Sequence, residues 1–406
     1  MSTFTTGDGA VPRNAPGLSA ASWMAAIAGL SGSLVAVGLA RFAYTPLIPP
    51  LIAARWFAAG DVVTLGAANF AGYLAGALLG RPLAAGLTSR WVLRLMMLAV
   101  TVAFFACAFP VSLAWFFVWR FLSGLAGGAI MVLVATSILP HIPAARRGLV
   151  SGIIFVGLGL GIAASGTVVP ALLRLGLVQT WVGLGGLSLL LTALSWFGWP
   201  ARDLPAPVAT AGEAEGGRTG GILRVLYAEY ALNALGLVPV MVLLVDYVAR
   251  GLGRGADVGA FYWVLYGIAA IAGPLVSGPM ADRLGAGLAY RLSLALQAGA
   301  VALLAVSGHP AAIAAATVVL GIFTAGIVPL VLGRIHELLP HSHRQQQAAW
   351  SRATTAFALF QALAGYGYSY LFNHSGQDYA LIFLCGAIAL VVALVADTAA
   401  ALGGRK

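Results

Sequence analysis

Residues 14–40, 62–80, 121–145, 148–173, 175–201, 258–281 and 353–377 contain no Asp, Glu, Lys or Arg. Each run is about as long as the ~20 residues that carry a helix across a bilayer, and the charged residues fall in short clusters between them. The chain therefore reads as a polytopic membrane protein. A globular surface needs roughly a quarter charged residues to stay in water. Here the charged share is 8% of 406 residues, 61% are hydrophobic, and the mean hydropathy is +0.95.

The 52 glycines fit the same solvent. Helices in lipid gain little from further apolar burial and associate where small side chains let backbones approach. The net charge of +10 could suggest nucleic acid, but the basic residues are scattered over separate loops rather than gathered in one stripe. No nucleic-acid partner is expected. Cys107 and Cys385 lie in apolar runs without a Cys-x-x-Cys spacing and read as inert thiols. The polar first 18 residues, followed by an apolar stretch too long for a signal-peptide core, give no cleaved signal.

Gly, Pro and charged clusters divide the chain into twelve spans, near 20–48, 61–80, 91–109, 112–139, 149–173, 178–199, 222–248, 256–279, 287–307, 310–338, 347–373 and 378–400. The fold class expected is all-α integral membrane. A cytoplasmic N-terminus places Arg13, Arg81, Arg90, Arg94, Arg146, Arg147, Arg202, Arg218, Arg224, Arg283, Arg291, Arg334, Arg344, Arg352, Arg405 and Lys406 inside. Only Arg55, Arg174, Arg250 and Arg254 are then outside. This asymmetry puts both termini in the cytoplasm. The organisation expected is a tail at 1–19, a six-helix bundle at 20–199, a linker at 200–221, a second bundle at 222–400 and a tail at 401–406.

Setting Pro82 on Pro279, a shift of 197 residues, also sets Gly124 on Gly321, so the halves read as parallel repeats. Gly278-Pro279-Met280-Ala281-Asp282-Arg283-Leu284-Gly285 resembles the loop signature of the major facilitator superfamily between helices 2 and 3 and between helices 8 and 9. The first copy is degenerate, with Ala85, Gly86 and Thr88 in place of the acid, the base and the glycine. Arg120-Phe121-Leu122-Ser123-Gly124, followed by Gly127 and Gly128, resembles the family's helix 4 motif. Arg41-Phe42-Ala43-Tyr44-Thr45-Pro46-Leu47 and Asn69-Phe70-Ala71-Gly72-Tyr73 are similar to a bacterial branch of that superfamily. Gly157, Gly159, Gly161, Gly166 and Pro170 loosely resemble its antiporter motif. The resemblance implies two pseudo-symmetric six-helix bundles around a central site that open to alternate faces.

Arg41 and Arg120 are cations within spans, each costing about 2.5–3.5 kcal/mol on insertion scales. Both are expected to face inward at one depth. Either could hold an anionic group such as a carboxylate; alternatively Arg120 binds backbone carbonyls of the first helix. Glu229 is an acid well inside the seventh span, with Asn233 on the same face. It suits uptake and release of a proton during a cycle; the alternative is a bond to a nearby Tyr or contact with water near Arg224. Asn69, Tyr44, Tyr230, Tyr266 and Gln361 could orient a ligand or join helices. Gly365-Tyr366-Gly367-Tyr368-Ser369-Tyr370 reads as an interfacial aromatic belt. By the family's pseudo-symmetry, Asp282 and Arg283 act at the cytoplasmic gate, with Arg146 or Arg147 as the contact of Asp282.

His336, His341 and His343 are separated by Pro340 and lack a second carboxylate besides Glu337, so no metal is expected. Lys406 is the only lysine, no phosphate-binding loop occurs, and no cofactor is expected. An intramembrane enzyme would need a nucleophile or a carboxylate pair at matched depth, and Ser31, Ser33 and the distant histidines supply none. The function expected is a monomeric secondary active transporter of a small organic solute, favouring an organic anion, coupled to protons. A drug or amino-acid efflux pump, or a transporter-derived solute sensor, remains an alternative.

Overall fold

The structure is a computed structural model and describes residues 18–143, 146–201, 217–340 and 343–403. Arg13, Arg202, His341, Arg405 and Lys406 lie outside the described residues, as do the side chains of Arg218, His343 and Arg344 and most of the expected tails and linker.

Among the described residues every regular element is helical, as lipid requires, because a helix satisfies its own backbone polar groups. Twelve long helices follow one another. They are α1 (Ala20–Ala53), α2 (Ala59–Leu87), α3 (Ser89–Ala106), α4 (Leu113–Ile138), α5 (Arg147–Leu173) and α6 (Leu177–Ser195). The second half holds α7 (Gly217–Asp246), α8 (Ala256–Leu284), α9 (Ala286–Val306), α10 (Pro310–Leu338), α11 (His343–His374) and α12 (Tyr379–Gly403). Eleven of these are both long and apolar enough to cross a bilayer. The other, α11, has the length, with 32 residues, but its sequence starts with the polar run Arg344-Gln345-Gln346-Gln347.

The helices start and stop where local chemistry dictates. The Ser112 hydroxyl accepts from Trp115 N at 3.1 Å and caps α4. Pro310 opens α10, where its missing N–H costs nothing. Gly176, Gly255 and Gly285 turn the chain at φ of +123°, +85° and +78°.

The repeat read from sequence recurs in the packing. A Cβ on Gly124 of α4 would strike the Asn69 carbonyl oxygen in α2. One shift later, a Cβ on Gly321 of α10 would strike the Tyr266 carbonyl oxygen in α8. Likewise Gly76 abuts the Leu125 carbonyl and Gly273 the Ile322 carbonyl. The close α2–α4 crossing is thus repeated as α8–α10. The degenerate loop copy also keeps its backbone: Thr88 has φ +110° and ψ 146°, where Gly285 has φ +78° and ψ 148°. A threonine here holds a conformation that glycine adopts without strain.

Three arginines counted with the cytoplasmic charges reach into the bundle. Arg94 of α3 is buried and donates through Nε and Nη2 to the Trp196 carbonyl, at 3.0 and 2.5 Å. That oxygen is one of those left free at the end of α6. Its repeat counterpart Arg291 in α9 pairs with Asp397 of α12, and Arg334 of α10 lies 3.5 Å from the same carboxylate. Each guanidinium sits near a helix end, so the long side chain turns back into the bundle to reach an acceptor. Cys107 is buried as expected, whereas Cys385 is half-buried.

The halves meet through α2 with α11 and α5 with α8. Their shared hydrogen bonds start near the α1–α2 and α11–α12 turns, where Thr64 Oγ1 and Ser369 Oγ are 2.6 Å apart. They continue through Thr45 Oγ1 to the Met241 carbonyl at 2.6 Å and Trp263 Nε1 to Ser165 Oγ at 3.0 Å. They reach mid-span at Arg41 and Gln361.

Candidate functional site

The site is built on a broken helix. The apolar pattern predicts a continuous first span, but α1 is regular only over Ala20–Ser33. It widens into a π turn at Leu34–Leu39, breaks at Ala40 and Arg41, tightens to a 3-10 turn at Phe42–Leu47 and resumes at Ile48–Ala53. Pro46 lacks an N–H, and its ring displaces the carbonyl four residues back, that of Phe42. Such a break survives in lipid only where neighbours take the freed backbone groups. Arg120 Nη1 donates to the Ala40 carbonyl at 2.7 Å, and Ser165 Oγ approaches that of Phe42 at 3.4 Å.

Arg120 is thereby a brace, the second of the two roles open to it. Its guanidinium lies 4.2 Å from the centre of the Tyr44 ring, and Tyr44 in turn donates to the Val62 carbonyl at 2.7 Å. Asn69 Nδ2 donates to Ser123 Oγ at 3.0 Å. Tyr44, Asn69 and Arg120 thus lock α1, α2 and α4 together around the break.

Arg41 is different. Only 9% exposed, it donates through Nη1 to Gln361 Oε1 at 2.9 Å, from one half to the other. Its guanidinium stacks on Tyr73 at 4.2 Å and Phe70 at 5.0 Å. Nε and Nη2 are buried with no partner. Those two N–H groups point the same way and form the fork that matches a carboxylate. Gln361 is itself held by Nε2 against the Met241 sulfur at 3.6 Å.

Tyr230 faces this region from α7, its ring 4.5 Å from Phe357 and 6.3 Å from Trp350. Tyr266 does not join them. Its hydroxyl bonds Thr324 and its ring stacks on Trp263 at 5.1 Å. Asn233 also turns away, donating to Gln297 Oε1 at 2.9 Å inside the second half.

Glu229 is fully buried, and neither carboxylate oxygen has a hydrogen-bond partner. It therefore makes none of the local bonds considered from sequence. Charges on Arg291 of α9, Arg334 of α10 and Asp397 of α12 act on it, and it acts on the Tyr290 hydroxyl of α9. Asp246 and Asp397 are buried acids too, which the sequence pattern does not single out. Asp246 pairs with Arg250 at 2.6 Å, so both differ from Glu229 in having ion-pair partners.

At the opposite end from the shared hydrogen bonds, Asp282 and Arg283 are exposed, and no ion pair of Asp282 is formed among the described residues. Arg147 Nε donates to the Ile142 carbonyl at 3.1 Å. Tyr73, Phe357 and Trp350 join the site without having been expected there. Tyr73 is four residues after Asn69 and Phe357 four before Gln361, so helical spacing from residues already singled out could have found both.

The family model described as the uncharacterised MFS-type transporter YbfB matches residues 33–398. The chain belongs to this family. None of the curated proteins matches it. Among solved structures, this MFS-type chain is similar to a point mutant of the nucleoside transporter NupG, with TM-score 0.74 at 14% identity, over 94% of this chain and 99% of that one. It is also similar to a bacterial homologue of the human lysosomal transporter Spinster. The inward-facing, occupied structure of that protein gives TM-score 0.72 at 14% identity, over 94% and 96% of the two chains. The inward-facing, unoccupied one gives 0.65 at 15%, over 95% and 96%. At this identity the likeness establishes the major facilitator fold.

Proposed function

We propose that the protein is a proton-coupled secondary transporter of a small organic anion, working as a monomer in the bacterial inner membrane with both termini cytoplasmic. The observation that carries this reading is the Arg41 fork, two buried donors without a partner at mid-span between the halves. A buried cation is retained in a membrane where it meets a counter-charge or a substrate path. The charge asymmetry of the loops makes the end with the shared hydrogen bonds periplasmic. The hydrogen bonds that join the halves then run from the periplasmic end to mid-span, with the cytoplasmic ends beyond them. When the bundles at 20–199 and 222–400 rock, Asp282 and Arg283 would approach the Arg146 and Arg147 end of α5 and close that side.

Glu229 is the proposed proton site, because it alone among the buried acids of the described residues lacks an ion-pair partner. Protein in liposomes should accumulate an organic anion from a panel of labelled carboxylates when a proton gradient is imposed. Glu229→Gln should lose that gradient-driven accumulation by about tenfold or more and keep solute-for-solute exchange, which needs no net proton. Accumulation at the unmodified level would reject Glu229 as the coupling residue. Uptake of neutral solutes alone would reject the anion.

A further inference from the structure

We infer that the solute is an aromatic carboxylate, held with its ring between the two halves; this rests on the anion reading above. The Arg41 guanidinium lies 4.2 Å from the centre of the Tyr73 ring, so a carboxylate on the free Nε and Nη2 donors has that ring beside it. On the other half Tyr230 is sandwiched near Phe357 and Trp350. Phe357 is one turn before Gln361 on α11, and Gln361 Oε1 accepts from Arg41 at 2.9 Å, so this cluster lies one turn from the fork. Two aromatic surfaces from separate bundles therefore meet at one charged fork.

A flat π system fills such a place better than an aliphatic one of equal size. Offset or edge-on ring contacts add to plain area burial, and a ring bridging both walls ties substrate occupancy to the approach of the bundles. An aliphatic acid would satisfy Arg41 and leave the Tyr230 and Phe357 side with ordinary apolar contact only. Aromatic contact thus separates two acids of similar bulk by shape and polarizability.

The test is a thermal-shift titration of the full-length detergent-purified protein with benzoate, cyclohexanecarboxylate, butyrate and uridine. Benzoate should half-saturate at about tenfold lower concentration than cyclohexanecarboxylate. Tyr73→Leu and Phe357→Leu should reduce that preference below about threefold. Equal midpoints for benzoate and cyclohexanecarboxylate in the unmodified protein would overturn the aromatic inference and leave the anion reading standing. Stabilisation by uridine with none by any carboxylate would overturn both. The comparison of ligands on the unmodified protein decides the matter even if a leucine variant fails to fold.

Discussion

Arg41→Ala is expected to abolish anion binding while the protein still folds. The lost fork removes two charge-assisted hydrogen bonds, about 3 kcal/mol together, or on the order of 100-fold in affinity. Folding survives because the substitution also removes a buried cation that has one protein hydrogen bond, to Gln361. Arg41→Lys keeps the charge, loses the planar fork and should recover only part of the affinity. The measurement is ligand-dependent thermal unfolding of the three proteins. An Arg41→Ala protein stabilised by carboxylates as well as the unmodified one would mean that the anion binds elsewhere.

Gly124→Val and Gly321→Val should each eliminate monodisperse protein, and to a similar degree. At both positions even the first added carbon lands on a backbone carbonyl oxygen of the facing helix. A backbone cannot yield as a side-chain tip can, so the helix pair must separate, at a cost above roughly 3 kcal/mol. Gly152→Ala is the control, since nothing lies within 4 Å of a Cβ there and alanine favours a helix. Size-exclusion profiles of fluorescently tagged variants report all three. Unequal damage at Gly124 and Gly321 would mean that the two crossings do not carry equivalent weight.

The twelve helices and the 197-residue repeat were legible because lipid leaves long uncharged runs, and because backbone contact at a crossing demands glycine at fixed positions. Arg41 and Glu229 were legible for the converse reason, as rare charges inside such runs. The break in α1 was not. Pro46, Pro49 and Pro50 sit near the C-terminal end of α1, while the carbonyl at Ala40 accepts from an arginine of a different helix, a contact that no local pattern encodes. Arg94, Arg291 and Arg334 were counted only as cytoplasmic charges because hydropathy places a residue along a span and says nothing of where a long side chain turns. The aromatic neighbours Tyr73 and Phe357 were hidden by composition, since apolar rings are ordinary in a membrane helix until a cation is found against them.

Alternating access requires the halves to part at the α1–α2 end in every cycle. Thr64 and Ser369 touch across that boundary, with their hydroxyl oxygens 2.6 Å apart. Cysteines at both positions, in a background carrying Cys385→Ser, should form a disulfide under mild oxidant. Oxidised protein in liposomes should then cease to carry solute across the bilayer, and a reductant should restore the rate. Transport continuing at the unmodified rate with the bond intact would contradict alternating access through this boundary.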